Sequence, residues 1–381
     1  MQRLRALWLT CHRWTALTLG WLLILAGLTG ALLVVARPLD EWAHPGYFVA
    51  HREVAQGYLA RGDAAHADAA RGAVPLDAVR ASIQAEFGAD AGMTLRPPRQ
   101  AGETLQVLVR GAWRGTVYLD PATGAEQGRR GEDEGFVNTL FRLHSALLME
   151  STGKAVLAWA SLAYLALLAT GLVLWWPKRW PPSLRIELRK GLLRGLFDVH
   201  RTGGAVLGLV LAVSVATGAF MAWRPIGAWI NALAGSTPAA VPALRGEPAD
   251  ALPLDVLVAR AQAVYPDGQV GYVMLAPQPH RPVRIRMRVA GEPHPNGMST
   301  IWLDPRDGTV LSARRWDEMD VAVRLNTVIY PLHTGELGGV PLQAVTALAG
   351  LALGVLGISG AWLWWRRLRA RRIARAAGRR G

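Results

Sequence analysis

HRTGGAVLGLVLAVSVATG, residues 200–218, repeats in outline what the chain has already spelled at residues 12–30, HRWTALTLGWLLILAGLTG. Both stretches open on a His-Arg step, His12-Arg13 and His200-Arg201. Both close on a Thr-Gly step, with Thr29 and Thr217 each 17 residues after its histidine. A second pair of histidines keeps a second register. His144 lies 26 residues before Thr170-Gly171, His333 lies 26 residues before Ser359-Gly360, and Trp175-Trp176 and Trp364-Trp365 follow in step. The chain is an internal duplication in which each copy carries two histidines beside long apolar runs.

Four stretches carry no charge: Trp14 to Ala36, Ala155 to Trp176, Thr202 to Trp223 and Val340 to Trp365. Each is long enough to cross a bilayer, which takes roughly 20 residues for ~30 Å of hydrocarbon at 1.5 Å per residue. They are rich in Leu, Val, Ala and Gly, the composition of transmembrane helices. The expected class is a polytopic α-helical membrane protein. The first run is too long for a secretory h-region and lacks a small-x-small cleavage site, so it reads as a retained helix.

The formal net charge is +14. The excess is concentrated in three short segments: Arg3, Arg5 and Arg13; Lys178 to Arg201; and Arg366 to Arg380. Glu187 and Asp198 are the only acids among them. This is the pattern of the positive-inside rule, which puts both termini and the central loop in the cytoplasm. Nucleic-acid binding is disfavoured, because no aromatic-interleaved basic surface accompanies the charge. The single cysteine, Cys11, allows no intrachain disulfide, and the sequence has no C-x-x-C-H for covalent haem attachment.

The expected order is a cytoplasmic start and first helix (1–36), an extramembrane domain (37–141), a histidine segment and second helix (142–176), and a basic cytoplasmic loop (177–201). The third helix (202–223), a second domain (224–331), a second histidine segment with the fourth helix (332–365) and a basic tail (366–381) follow. Within the domains, Pro75-Leu76-Asp77 and Pro253-Leu254-Asp255 open helical patterns. Val117-Tyr118-Leu119-Asp120-Pro121 with Gly124 matches Ile301-Trp302-Leu303-Asp304-Pro305 with Gly308. A period-two strand ending in such a turn signals antiparallel sheet, so each domain reads as α+β.

An even number of crossings separates the copies, so they run parallel about a pseudo-two-fold axis along the membrane normal. His12 and His200 then share one depth near the cytoplasm, and His144 and His333 another near the far face. In a four-helix transmembrane bundle, diagonal helices leave room for a flat macrocycle between two imidazoles. This pairs His12 with His200 and His144 with His333 as ligands of two b-type haems. Gly27, Gly30, Gly208 and Gly218 suit close packing of backbones or of a ring. The plainer alternative is that the His-Arg steps are interfacial anchors. Four histidines in matched register favour ligation, and no carboxylate or thiolate cluster supports a non-haem metal.

Other features are less directive. Arg284, Arg286 and Arg288 alternate with apolar residues, placing three guanidiniums on one strand face. The first copy has only Arg110 near the corresponding strand. Such a stripe suits an anionic ligand or a haem propionate, and equally a solvated or lipid-headgroup face. His44, His51, His66, His280 and His294 have no repeat partners and read as surface residues. The tryptophan pairs read as an interfacial aromatic belt, and the Arg-rich tail as a topological element in contact with membrane lipid.

The combination of His-Arg opening, Thr-Gly closing, a Leu-His before the next helix and Thr/Ser-Gly-x-x-x-Trp-Trp resembles the PepSY-associated transmembrane proteins. The two Asp-Pro-x-x-Gly domains resemble their PepSY modules. The resemblance covers nearly the whole chain. It implies two periplasmic PepSY-like domains on a bacterial inner-membrane protein of the iron-regulated class. It is similar in particular to the FoxB-type ferric-siderophore reductases, with His12, His144, His200 and His333 at the haem-ligand positions. Longer members fuse a flavodoxin or flavin-reductase domain, so the expected electron donor here is separate, a membrane quinol or a soluble reductase. The expected activity is haem-dependent reduction of a ferric siderophore to release Fe(II), with no residue acting as acid or base. The alternative is a non-redox scaffold whose PepSY modules inhibit or regulate periplasmic proteases.

Overall fold

The computed structural model describes residues 2–51, 72–177, 180–233, 235, 240–244, 250–278 and 281–377. Its elements in chain order are α1 (Gln2–Ala43), α2 (Pro45–Phe48), α3 (Leu76–Phe87), β1 (Gly92–Arg96), β2 (Leu105–Arg110), β3 (Arg114–Leu119) and β4 (Glu126–Gly131). Next come α4 (Phe136–Ala146), α5 (Glu150–Trp175), α6 (Leu192–Val206), α7 (Gly208–Ala222), α8 (Arg224–Leu233) and α9 (Leu254–Val264). The chain closes with β5 (Gln269–Leu275), β6 (Val283–Arg288), β7 (Ser299–Leu303), β8 (Val310–Arg314), α10 (Val321–Thr334) and α11 (Gly339–Ala377). They divide into two units, one of Met1–Ala36, Thr139–Ile230 and Leu332–Gly381, the other of Arg37–Asn138 and Asn231–Pro331.

Three helices are long and apolar enough to span a membrane: Arg3–Ala43, Glu150–Trp175 and Glu336–Arg375. The third expected crossing, Thr202 to Trp223, is not one straight helix. It lies across the pair α6 and α7, which bend by 65° at Leu207. Gly203, Gly204 and Gly208 crowd this stretch, and glycine is where helices bend most cheaply. Leu23, Tyr164, Leu211, Ala349, Leu353 and Leu356, drawn from α1, α5, α7 and α11, share one apolar cluster. α1 and α11 approach to backbone contact, since a Cβ on Gly27 would sit 2.7 Å from the Gly350 carbonyl oxygen. Gly208 has open space around it, so it serves no such contact.

The histidine segments are short helices of their own. α4 ends at Ala146, and Leu147, Leu148 and Glu150, the last being the first residue of α5, take left-handed φ values of 51°, 59° and 50°. Gly335 and Gly339, at φ 81° and 61°, make the corresponding break between α10 and α11. His144 and His333 are therefore not on straight extensions of the spanning helices.

The second unit holds one sheet where two were expected. Its strand order is β4-β3-β2-β1-β5-β6-β7-β8, antiparallel throughout. The four strands of each copy meet edge to edge at β1 and β5, in the register Met93↔Leu275 and Leu95↔Val273. Pairing the two edges removes the exposed N–H and C=O rows that separate sheets would carry. α3 and α9 pack on one face, where Leu76, Val79, Ile83, Leu254 and Leu257 meet Leu95, Leu105, Val107, Ile285 and Ile301. The two Pro-Leu-Asp steps tie these helices together reciprocally. Leu76 N donates to Asp255 Oδ2 at 3.0 Å, and Leu254 N donates to Asp77 Oδ2 at 2.6 Å. Each carboxylate thus satisfies a first-turn donor on the other helix. On the opposite face Arg130 forks onto Asp40 at 2.6 and 2.9 Å, a pair in which both side chains are buried.

Candidate functional site

The first unit brings the four repeat-matched histidines together in two pairs. The rings of His12 and His200 have centroids 6.3 Å apart and planes at 88°. Those of His144 and His333 are 6.1 Å apart at 40°. Each pair takes one imidazole from each sequence copy.

Every one of these rings is held by the Thr-Gly or Ser-Gly step of the other helix in its own copy. His12 Nδ1 lies 3.0 Å from Thr170 Oγ1 and bonds the Leu167 carbonyl. His144 Nδ1 lies 3.1 Å from Thr29 Oγ1 and 3.0 Å from the Ala26 carbonyl oxygen. His333 Nδ1 lies 3.0 Å from both Thr217 Oγ1 and the Ser214 carbonyl oxygen. His200 Nδ1 is 2.9 Å from the Leu356 carbonyl oxygen and 3.4 Å from Ser359 Oγ. In all four the carbonyl belongs to the residue three before the hydroxyl. The hydroxyls donate to their own helix: Thr29 to Leu25 at 2.7 Å, Thr217 to Val213 at 2.7 Å, and Thr170 to Leu167 at 2.8 Å.

This pattern fixes the tautomer. A carbonyl can only accept, so Nδ1 carries the proton, and the neutral ring is left with its lone pair on Nε2. That is the state of a metal-ligating histidine whose other nitrogen is engaged by a backbone carbonyl. The glycines of the same steps make the space. A Cβ on Gly30 would come within 2.9 Å of His144 Cε1, and one on Gly218 within 3.0 Å of His333 Cε1. On Gly171 and Gly360 it would lie 3.2 Å from His12 Cε1 and 3.1 Å from His200 Cε1. Sequence reading used these Thr-Gly steps as register marks and missed what they do, although their fixed distance from the histidines was the available signal.

The pair spacing can be tested against ligation. Two imidazole–metal bonds of about 2.0 Å, each extended by the roughly 1.1 Å from nitrogen to ring centre, put centroids about 6.2 Å apart. Both observed separations match. Among the described residues no group of three or more His, Cys, Asp or Glu forms a metal centre. Each pair offers two neutral imidazoles, a donor set that would suit a bis-histidine haem.

The other histidines are placed differently. His44 is exposed and bonds Asp40 at 2.9 Å, and His51 is exposed. His66 and His280 lie outside the described residues. His294, expected at the surface, is half-buried and stacked on Tyr330 at 5.2 Å.

Three spanning-length helices, a bent pair and an antiparallel sheet domain define a membrane protein that joins an apolar helical unit to an α+β unit. The model of the PepSY-associated TM region matches residues 9–367, and the chain belongs to that family. Comparison with curated proteins gives no match.

Proposed function

We propose that this protein is a bacterial inner-membrane reductase that holds two b-type haems and carries electrons across the bilayer to a ferric siderophore, releasing Fe(II). The observation that supports it most is the two imidazole pairs, with ring centroids 6.3 and 6.1 Å apart and each Nδ1 engaged by a helix carbonyl. His12 and His200 would hold one haem, and His144 and His333 the other, within a four-helix bundle. Haem bound there supplies a one-electron iron couple. The chain's own contribution is to aim the ligands and set their basicity. The Ala26, Leu167, Ser214 and Leu356 carbonyls draw on Nδ1–H and make Nε2 a stronger donor, and the four glycines admit the rings. The cationic segments favour cytoplasmic termini and a periplasmic sheet domain.

The ferric siderophore as acceptor, and a quinol or soluble reductase as donor, follow from the family resemblance. Reduction to Fe(II) loosens hard oxygen ligands, which prefer the ferric ion. The test is the optical spectrum of the detergent-purified chain, oxidised and dithionite-reduced, with haem quantified. Two haems per chain with resolved α and β bands are expected, one being lost in His12→Ala and the other in His333→Ala. Ferric siderophore added anaerobically then reoxidises the reduced protein, with Fe(II) trapped by a chelator. A colourless protein from haem-replete cells overturns this reading and leaves the protease-regulating scaffold.

A further inference from the structure

We propose that the sheet face opposite α3 and α9 carries a site for a small polyanion with carboxylate or phosphate groups, built by Arg99, Arg284, Arg286 and Arg288 around Tyr272. The proposal uses none of the histidine-pair residues and does not depend on the reductase reading.

The first argument is missing counter-charge. In the same unit Arg114, Arg129, Arg130, Arg306 and Arg315 each grip a carboxylate. Among the described residues none of Arg96, Arg99, Arg284, Arg286 and Arg288 has an ion-pair partner. They are positioned by neutral groups instead. Arg99 donates to the Pro295 carbonyl at 3.0 Å and to Asn296 Oδ1 at 2.7 Å. Arg286 donates to the Gly297 carbonyl and to the Met298 sulfur, and its Nε is buried with no partner. Arg284 has the Met274 sulfur, a weak acceptor, at 2.8 and 3.1 Å. Arg99 and Arg286 both lie over the Tyr272 ring, at 5.9 and 5.7 Å, and Arg284 lies over Trp302 at 5.4 Å. Aromatic faces orient a guanidinium but bring no negative charge.

The two nearby carboxylates, Glu103 and Glu292, offset the positive charge of Arg99 and Arg286 only in part and form no ion pair with them. Glu103 spends Oε2 on the Arg99 backbone N–H at 2.8 Å. Glu292 is buried against the Val289 N–H and the Ser299 hydroxyl, and burial pushes its carboxyl up toward the neutral form. The cations press on each other in consequence. Burial and the charges of Arg96 and Arg288 lower Arg99 to about 10, and burial with Arg286, Arg99 and Arg288 lowers His294 to about 4. A bound oxyanion relieves that repulsion.

The second argument is the internal repeat. β2 and β6 occupy equivalent places, β2 paired with β3 through Leu105↔Leu119 and β6 with β7 through Val283↔Leu303. Arg284, Arg286 and Arg288 therefore stand where the first copy has Gln106, Leu108 and Arg110. The first copy builds the same four strands without the stripe, so the fold does not require it. Same-face residues two apart on a strand lie about 6.6 Å from each other, so the stripe suits a ligand with two or more oxyanion groups. Arg288 is exposed and opens the site to solvent.

Titration calorimetry on the purified full-length chain in detergent, at low ionic strength, uses citrate and inorganic pyrophosphate as probes. One saturable site per chain is expected, weakened at least tenfold in Arg286→Gln. Arg288→Gln, which breaks no bond seen in the fold, should weaken it at least threefold with an unchanged melting curve. Arg114→Gln should leave it intact. Repeating the titration in nanodiscs separates sources: probes that bind in zwitterionic lipid but are displaced by anionic lipid identify a lipid phosphate as the occupant of the same site. No saturable binding, or equal weakening by Arg114→Gln, overturns the proposal. Calorimetry reads this site with or without haem, so its failure and that of the reductase reading are separable.

Discussion

Replacing Gly30 by alanine puts the arrangement of imidazole, hydroxyl and glycine to its sharpest test. The new Cβ would meet His144 Cε1 at 2.9 Å, whereas carbon atoms pack at about 3.5–4.0 Å. The ring must retreat by roughly 0.6–1 Å. From 3.0 Å to the Ala26 carbonyl, the Nδ1 contact then stretches to roughly 3.6–4.0 Å, beyond hydrogen-bonding range. Losing that bond costs about 1 kcal/mol, and the overpacking about 1–3 kcal/mol more. A total of about 2–4 kcal/mol weakens ligation at that pair by roughly 30- to 700-fold. Pyridine haemochrome quantification across a haem titration should fall from two haems per chain toward one. Gly204→Ala, with nothing within 4 Å, should keep both. Full loading with an unchanged spectrum in Gly30→Ala, in a chain that elutes as the wild type does, would falsify the claim that glycine makes room for the ligand.

Three further outcomes are expected. Arg130→Met leaves the buried Asp40 carboxylate with His44 as its remaining partner and should destabilise the sheet unit by about 3 kcal/mol, with much of the loss recovered in Arg130→Met with Asp40→Leu; denaturant melts of single and double variants decide it. Asp77→Ala and Asp255→Ala should each cost about 1 kcal/mol, measured the same way, since each removes the only carboxylate on the partner helix's first N–H. His294 is lowered to about 4 in the fold against 6.5 in the unfolded chain. The unfolded state therefore binds the proton first as pH falls through 6.5, and the sheet unit loses stability between pH 6.5 and 4. His294→Gln should flatten thermal stability across that window, and an unaltered slope there contradicts the assignment.

The histidine constellation was legible because it is written twice. Pairing across copies followed from equal spacings and parallel topology, and the ring centroids of His12 and His200, and of His144 and His333, lie 6.3 and 6.1 Å apart. The fused sheet was not legible. Val117 to Pro121 and Ile301 to Pro305 announce strands and turns within each copy. The β1–β5 seam is an edge-to-edge contact that alternation of apolar residues leaves undetermined, since either edge could also have been left free or covered. The bend at Leu207 escaped for another reason. Apolar length measures whether a segment can cross a bilayer, not whether it does so straight. The half-buried His294 stacks on Tyr330, 36 residues away, and no local pattern encodes such a contact.

Each imidazole is held by a helix of its own copy but lies beside the imidazole of the other. One half of the chain thus contains every orienting group it needs and only one imidazole of each pair. Two identical halves placed back to back about a two-fold axis would already have formed both pairs, with no residue to be invented when they were joined. The joined chain gains something that such a dimer lacks: the halves are free to diverge, and an arginine stripe on one need not be repeated on the other.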